Sequence, residues 1–133
     1  MSEPEGSSRD RELTGTLRAR FPHGHPEFLP ITLSEAKLHS EKNFDYASGG
    51  SALGNFERVA KILELYPGFP TASPIGVAII YMLKQLDAVL WGLAKGIKHK
   101  VEGFDSRLAD ISVYSKIVRC MFRDLAKAAK HPE

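Results

Sequence analysis

A chain of 133 residues with 43% hydrophobic content can bury one core, and at this size roughly two-thirds of the unfolded surface leaves water on folding. Its 18 basic and 16 acidic residues leave a formal charge of only +2, too weak a field to wrap duplex nucleic acid, so no duplex partner is expected. The single cysteine, Cys120, excludes an intramolecular disulfide and a thiolate metal cluster, and it suits a reducing cytoplasm.

Residues 1–30 carry Ser, Gly, Pro, Arg and Glu with few periodic apolar positions, which predicts a tail, flexible or laid over the domain, with Phe21, Phe28 and Leu29 as anchors. Its charged start does not read as a signal peptide. His23 and His25 flank a glycine in a loop, a weak metal signal. A single all-α domain is expected over 31–133. Thr32 and Glu35 have the spacing of a capping box, predicting a first helix from about residue 31 to Asn43. "FDYASGGSALG" then breaks the periodicity, with Gly49 and Gly50 free to take positive φ. Ser51 is the expected cap of a second helix, whose stripe is Leu53, Phe56, Val59, Ala60 and Leu63. "YPGFP" ends it.

Ser73 followed by Pro74 starts the third helix, since proline at the first helical position gives up only an amide that has no partner there. "IGVAIIYMLKQLDAVLWGLAKG" is apolar on most faces, which predicts the buried centre of a bundle, closed by Gly96. Lys84 and Asp87 interrupt this run, so no membrane span is expected. The last helix opens at Asp105 or Ser106 and carries Leu108, Ile111, Ser115, Val118, Phe122 and Leu125 at three- and four-residue steps. No segment alternates as a strand does. The expected architecture is an all-α four-helix bundle.

The polar residues on these helices are the functional candidates. Lys84 and Asp87, three apart, either pair with each other or belong to a site. Asp110 and Tyr114 share a face of the last helix, where an unpaired carboxylate is costly; a salt bridge to Arg107 is the structural alternative. Asn55 and Glu57 occupy the first turn after the glycine loop, where a carboxylate also favours the helix dipole. Lys98, His99 and Lys100 form a basic loop able to reach an anion or simply to stay solvated. Carboxylates from different helices facing one crevice are how a bundle holds a divalent ion, usually magnesium bridging to phosphate.

At these residues the chain resembles a known group. "LHSEKNFDYASGGSALGNFERVAKI" is similar to the K-N-x-D-Y-x-x-G-G-x-x-L-x-N-F signature of small phage and prophage proteins related to the all-α nucleoside triphosphate pyrophosphohydrolases of the MazG type. "YMLKQLDAV" and "DSRLADISVYSKI" resemble that group's lysine on the third helix and its D-x-x-x-D-[IL]-x-x-Y element, so the similarity spans about residues 33–122. The resemblance implies a MazG-like bundle assembled into dimers or tetramers, with a nucleotide held between helices by Asp45, Tyr46, Asn55, Glu57, Lys84, Asp87, Asp110 and Tyr114, and with Lys98 and His99 at its edge. In the active enzymes paired acids bind magnesium and position a water for attack between the α and β phosphates. Here those pairs are incomplete: Ala60 and Lys61 follow Glu57 at three and four residues, and Arg107 stands three before Asp110. Glu57, Asp87 and Asp110 are the remaining candidate magnesium ligands. The leading expectation is a phage-type protein that binds or sequesters a nucleotide in the cytoplasm, the host's if phage-encoded. The alternatives are a magnesium-dependent pyrophosphohydrolase releasing a monophosphate and pyrophosphate, and an interaction module without a small ligand.

Overall fold

A computed structural model describes residues 6–99 and 101–130. It is all-helical: α1 (Ser8–Arg20), α2 (Phe28–Ala47), α3 (Gly54–Glu64), α4 (Pro74–Lys95) and α5 (Phe104–Lys130), with no strand among the described residues. By mutual contact the chain divides into a unit ending at Lys42 and a second beginning at Asn43.

In the first unit, α1 occupies part of what the sequence reads as a tail. Ser7 caps it by accepting the Asp10 amide at 3.2 Å, and Arg18 and Arg20 sit at its C-terminal end where cations oppose the dipole. None of its residues is buried, which is why no apolar period announced it. α2 starts at Phe28, well before the Thr32–Glu35 spacing places it. The Thr32 hydroxyl donates to the Phe28 carbonyl at 2.8 Å, inside the helix instead of capping it. Pro30 is accommodated because amides in the first turn lack helical partners anyway. α2 also ends later than expected, and its extension turns Asp45 and Tyr46 from loop residues into helical ones.

In the second unit, Gly49 takes φ +83° as the loop requires. Gly50 serves a different need, because a Cβ there would lie 2.8 Å from the Trp91 ring. Ser51 is not the cap of α3. Leu53 holds that position, and the Ser51 hydroxyl instead accepts the Leu53 amide at 3.2 Å and donates to Glu57 at 3.0 Å. α4 follows the sequence reading: Ser73 accepts the Gly76 amide at 3.0 Å, Pro74 opens the first turn, and Gly96 closes the helix in the left-handed conformation at φ 65°. By length and composition alone α4 could cross a membrane.

α3 and α5 both pack on α4. Contacts of Gly92 with Phe104, Gln85 with Asp110 and Tyr81 with Tyr114 run in opposite senses along α4 and α5, so the two helices are antiparallel. That register brings Pro74 level with Met121, and α5 continues about nine residues, ~13 Å, past the start of α4. The buried apolar residues are small or medium: Ala47, Ala78, Ala88 and Val89. Buried among them are Asp45, Asn55, Asp87 and Arg107.

Candidate functional site

α5 runs for 27 residues and the residue it buries is an arginine. Arg107, 1% exposed, faces α4 and the end of α2. Its guanidinium donates to Tyr46 Oη at 2.8 Å, to Gln85 Oε1 at 2.9 Å and to His99 Nδ1 at 2.9 Å. Asp45, fully buried, lies 3.5 Å from Arg107 Nη2 and accepts the Val101 amide at 2.8 Å and the Glu102 amide at 3.4 Å. Glu102 Oε2 accepts no hydrogen bond but stands 3.4 Å from Arg107 Nη1, so its charge is still compensated. A buried carboxylate persists only when so surrounded. The arrangement ties the end of α2, the middle of α4, the start of α5 and, between those two helices, His99, Val101 and Glu102 into one network around Arg107 and Asp45.

His99 accepts from Arg107 through Nδ1, so its neutral form carries its proton on Nε2. That nitrogen is buried without a hydrogen-bond partner, close against Gly92, where a Cβ would come within 2.8 Å of it. Burial, and after it the Arg107 charge, hold His99 below its ordinary value, while Asp45 and Glu102 pull the other way.

A second guanidinium organises the α3 side. Arg58 donates to both Asp87 oxygens, at 2.7 and 2.9 Å, and to the Tyr46 carbonyl at 3.0 Å. It lies 4.0 Å over the Trp91 ring, whose indole N–H reaches the Ser48 carbonyl at 3.0 Å. Arg58, Lys61, Asp87, Leu90 and Trp91 line part of an open pocket of about 380 Å³. Between the two arginines, the Tyr46 ring has Arg107 at 4.6 Å and the Lys84 amine at 5.4 Å, both at cation–π range.

Six of the residues singled out from the sequence therefore meet around α4: Asp45, Tyr46, Lys84, Asp87, His99 and Asp110. Lys84 and Asp87 do not pair with each other, because the fork of Arg58 takes the carboxylate and leaves the amine over Tyr46. Nor does Arg107 bridge to Asp110, which accepts instead from the Gln85 amide at 3.2 Å. Tyr114 lies one turn further along, edge-on to Tyr81 with centroids 5.9 Å apart. Asn55 is buried in the first turn of α3, Glu57 is exposed and bonded to Ser51, and Lys98 is exposed. Lys100 lies outside the described residues. Glu57, Asp87 and Asp110 each hold a different protein partner, and no group of three His, Cys, Asp or Glu side chains among the described residues is placed to hold a metal.

Arg58, Gln85, Trp91 and Glu102 did not stand out in the sequence, and Arg107 did so only as a partner for Asp110. One signal was available for Arg107: it lies in phase with Ile111, Tyr114 and Val118, so it is a charge inside the packing stripe. Comparison with known proteins finds no matching family model, no matching curated protein and no matching solved structure. The MazG-like resemblance accordingly rests on its motifs.

Proposed function

We propose that this chain is a phage-type nucleotide-binding protein, a MazG-like helical bundle that holds a nucleotide between helices without cutting it. What carries this reading is the engagement of its carboxylates. Asp87 has both oxygens on Arg58, Asp110 accepts from Gln85, and Glu57 accepts from Ser51. A magnesium-dependent hydrolase needs several such oxygens turned toward one ion. Exposed cations remain: Lys61 lines the pocket between α3 and α4, Lys84 stands at the Tyr46 ring, and Lys98 follows α4. They suit an anionic ligand such as the phosphate of a nucleotide.

The test is to extract ligand from freshly purified protein for mass spectrometry, then to incubate the protein with a nucleotide panel and magnesium. Intact nucleotide retained near one per site, with a raised melting temperature, supports a binder. Turnover to monophosphate and pyrophosphate, abolished by Asp110→Asn, overturns it in favour of the hydrolase. Failure of every nucleotide to raise the melting temperature overturns both.

A further inference from the structure

The C-terminal half of α5 carries its cations on one side. At about 100° per residue, Lys116, Arg119, Arg123, Lys127 and Lys130 fall within about 80° of one another, along about 21 Å of helix axis. All five are exposed. Arg107, Tyr114 and Val118, on the α4 side of the helix, lie opposite them. Lys116 gives one N–H to Ser112 Oγ at 2.8 Å and keeps two. Among the described residues none of the five is in an ion pair. Residues 115–130 hold these five cations and one acid, Asp124, a charge of +4; the rest of the chain, with 13 basic and 15 acidic residues, carries −2. The formal +2 of the whole averages over that division. The helix dipole accounts for Lys127 and Lys130 in the last turn, but not for Lys116, Arg119 and Arg123, about two to four turns before the end. Arg119, Arg123 and Lys127, four apart, oppose one another, and a ligand of repeated negative charge removes that opposition.

We propose that this stripe docks on the phosphate backbone of duplex DNA without reading its sequence. Docking along one helix needs no field strong enough to wrap a duplex. A duplex carries one negative charge per ~1.7 Å of axis, so a straight row of cations about 5 Å apart meets phosphates along its whole length. Single strands fit less well, because their sites stack open bases on aromatic rings, and the nearest ring, Phe122, is turned about 60° beyond the edge of the stripe. Access is open: α5 packs on α4 and on no other helix among the described residues, and its last nine or so residues run past the start of α4. A lone helix about 10–12 Å across enters a major groove about 12 Å wide. A lipid surface is the weaker match. An interfacial helix buries its apolar face in the bilayer, whereas Ile111, Val118 and Met121 lie half-buried on the α4 side, away from the cations. This inference goes beyond nucleotide binding and does not rest on it.

The full chain is titrated into a fluorescently labelled duplex of about 20 base pairs and mixed sequence, and anisotropy is followed from about 50 to about 200 mM salt with no free nucleotide present. Affinity is expected to fall with a log–log slope of about −4.5, five phosphates at about 0.9 each, which is roughly 500-fold across that range. Arg119→Gln/Arg123→Gln removes two charges without reversing them and is expected to make the slope shallower by about 2. Arg119→Glu/Arg123→Glu is expected to abolish binding with helicity by circular dichroism unchanged. Arg9→Glu/Arg20→Glu, on exposed positions of α1, changes the net charge equally and is expected to keep the wild-type slope. No binding by the wild type at about 50 mM salt overturns the proposal, and so does a wild-type slope shallower than about −2. A Gln pair that keeps the wild-type slope, or an α1 pair that loses binding as the α5 pair does, overturns it as well. Binding to phosphatidylserine vesicles in place of the duplex overturns it in favour of a membrane surface.

Discussion

Arg107→Met removes the guanidinium and keeps most of the aliphatic stem. Two costs then arise. Tyr46 Oη, Gln85 Oε1 and His99 Nδ1 each lose a donor, and Asp45 stays at 0% exposure without the guanidinium 3.5 Å away, although the Val101 and Glu102 amides still donate to it. Breaking a buried pair from one side costs about 3–5 kcal/mol, because the remaining charge keeps its desolvation penalty. With a urea slope of roughly 2 kcal/mol per molar, the denaturation midpoint should fall by about 2 M at fixed protein concentration. Far-UV circular dichroism in urea measures this. Asp45→Asn separates charge from packing: if the ion pair is the source, Arg107→Met on that background costs at least ~1 kcal/mol less than alone. A fall below about 0.5 M, or full additivity of the two changes, would refute the argument that Asp45 depends on Arg107.

Asp87→Asn leaves the Arg58 fork half answered. Since Asp87 is 5% and Arg58 27% exposed, solvent offsets part of the loss, and chemical denaturation should show about 1–3 kcal/mol. Gly76→Ala would put a Cβ 1.8 Å from the Pro70 carbonyl oxygen, a backbone atom that cannot swing aside, so a loss of about 3 kcal/mol and a melting temperature lower by roughly 10 °C are expected. His99 gives a pH signature. Its folded pKa lies below the unfolded value of about 6.5, so the unfolded chain takes up the proton first; the His99 contribution is present above that value and lost as pH falls through the folded pKa. The charged groups facing it are Arg107, Asp45 and Glu102, and protonation at Nδ1 would also displace the Arg107 donor. Melting temperature followed from pH 7.5 to 5 should fall less steeply in His99→Asn than in the wild type, and equal slopes would remove His99 from the account.

The helices with terminal chemistry were legible in sequence. Ser73, Pro74 and Gly96 set the ends of α4 by local hydrogen bonding and allowed φ, so no distant residue had to be known. α1 was not legible because it buries nothing and therefore has no apolar period. The Thr32–Glu35 spacing misled because the same hydroxyl that can cap a helix can also bond back to a carbonyl four residues earlier within one. At the candidate site Asp45, Tyr46, Lys84, Asp87, His99 and Asp110 were legible, whereas Arg58, Gln85, Trp91, Glu102 and the pairing were not. Lys84 and Asp87 are neighbours along α4, yet a side chain 29 positions from Asp87 claims the carboxylate. A bidentate guanidinium outcompetes an ammonium three residues away for a partly buried acid, and sequence spacing carries no record of that contest.

α5 shows why the site and the exposed apolar side chains follow from one arrangement. A helix of this length in a self-sufficient domain turns its leucines inward and its arginines out. Here Arg107 is at 1% exposure while Leu108, Phe122 and Leu125 stand at 48%, 56% and 57%. The inward arginine is stable because Asp45, Tyr46, Gln85 and His99 answer its donors, and such directional bonds fix how α2, α4 and α5 meet. Directional bonds set geometry at little net gain, since desolvation offsets most of each one. Apolar burial must then supply the stability, and it comes from half-buried side chains such as Ile79, Met82, Leu83, Ile111 and Val118, while Leu90, Leu93, Leu108 and Phe122 stand exposed.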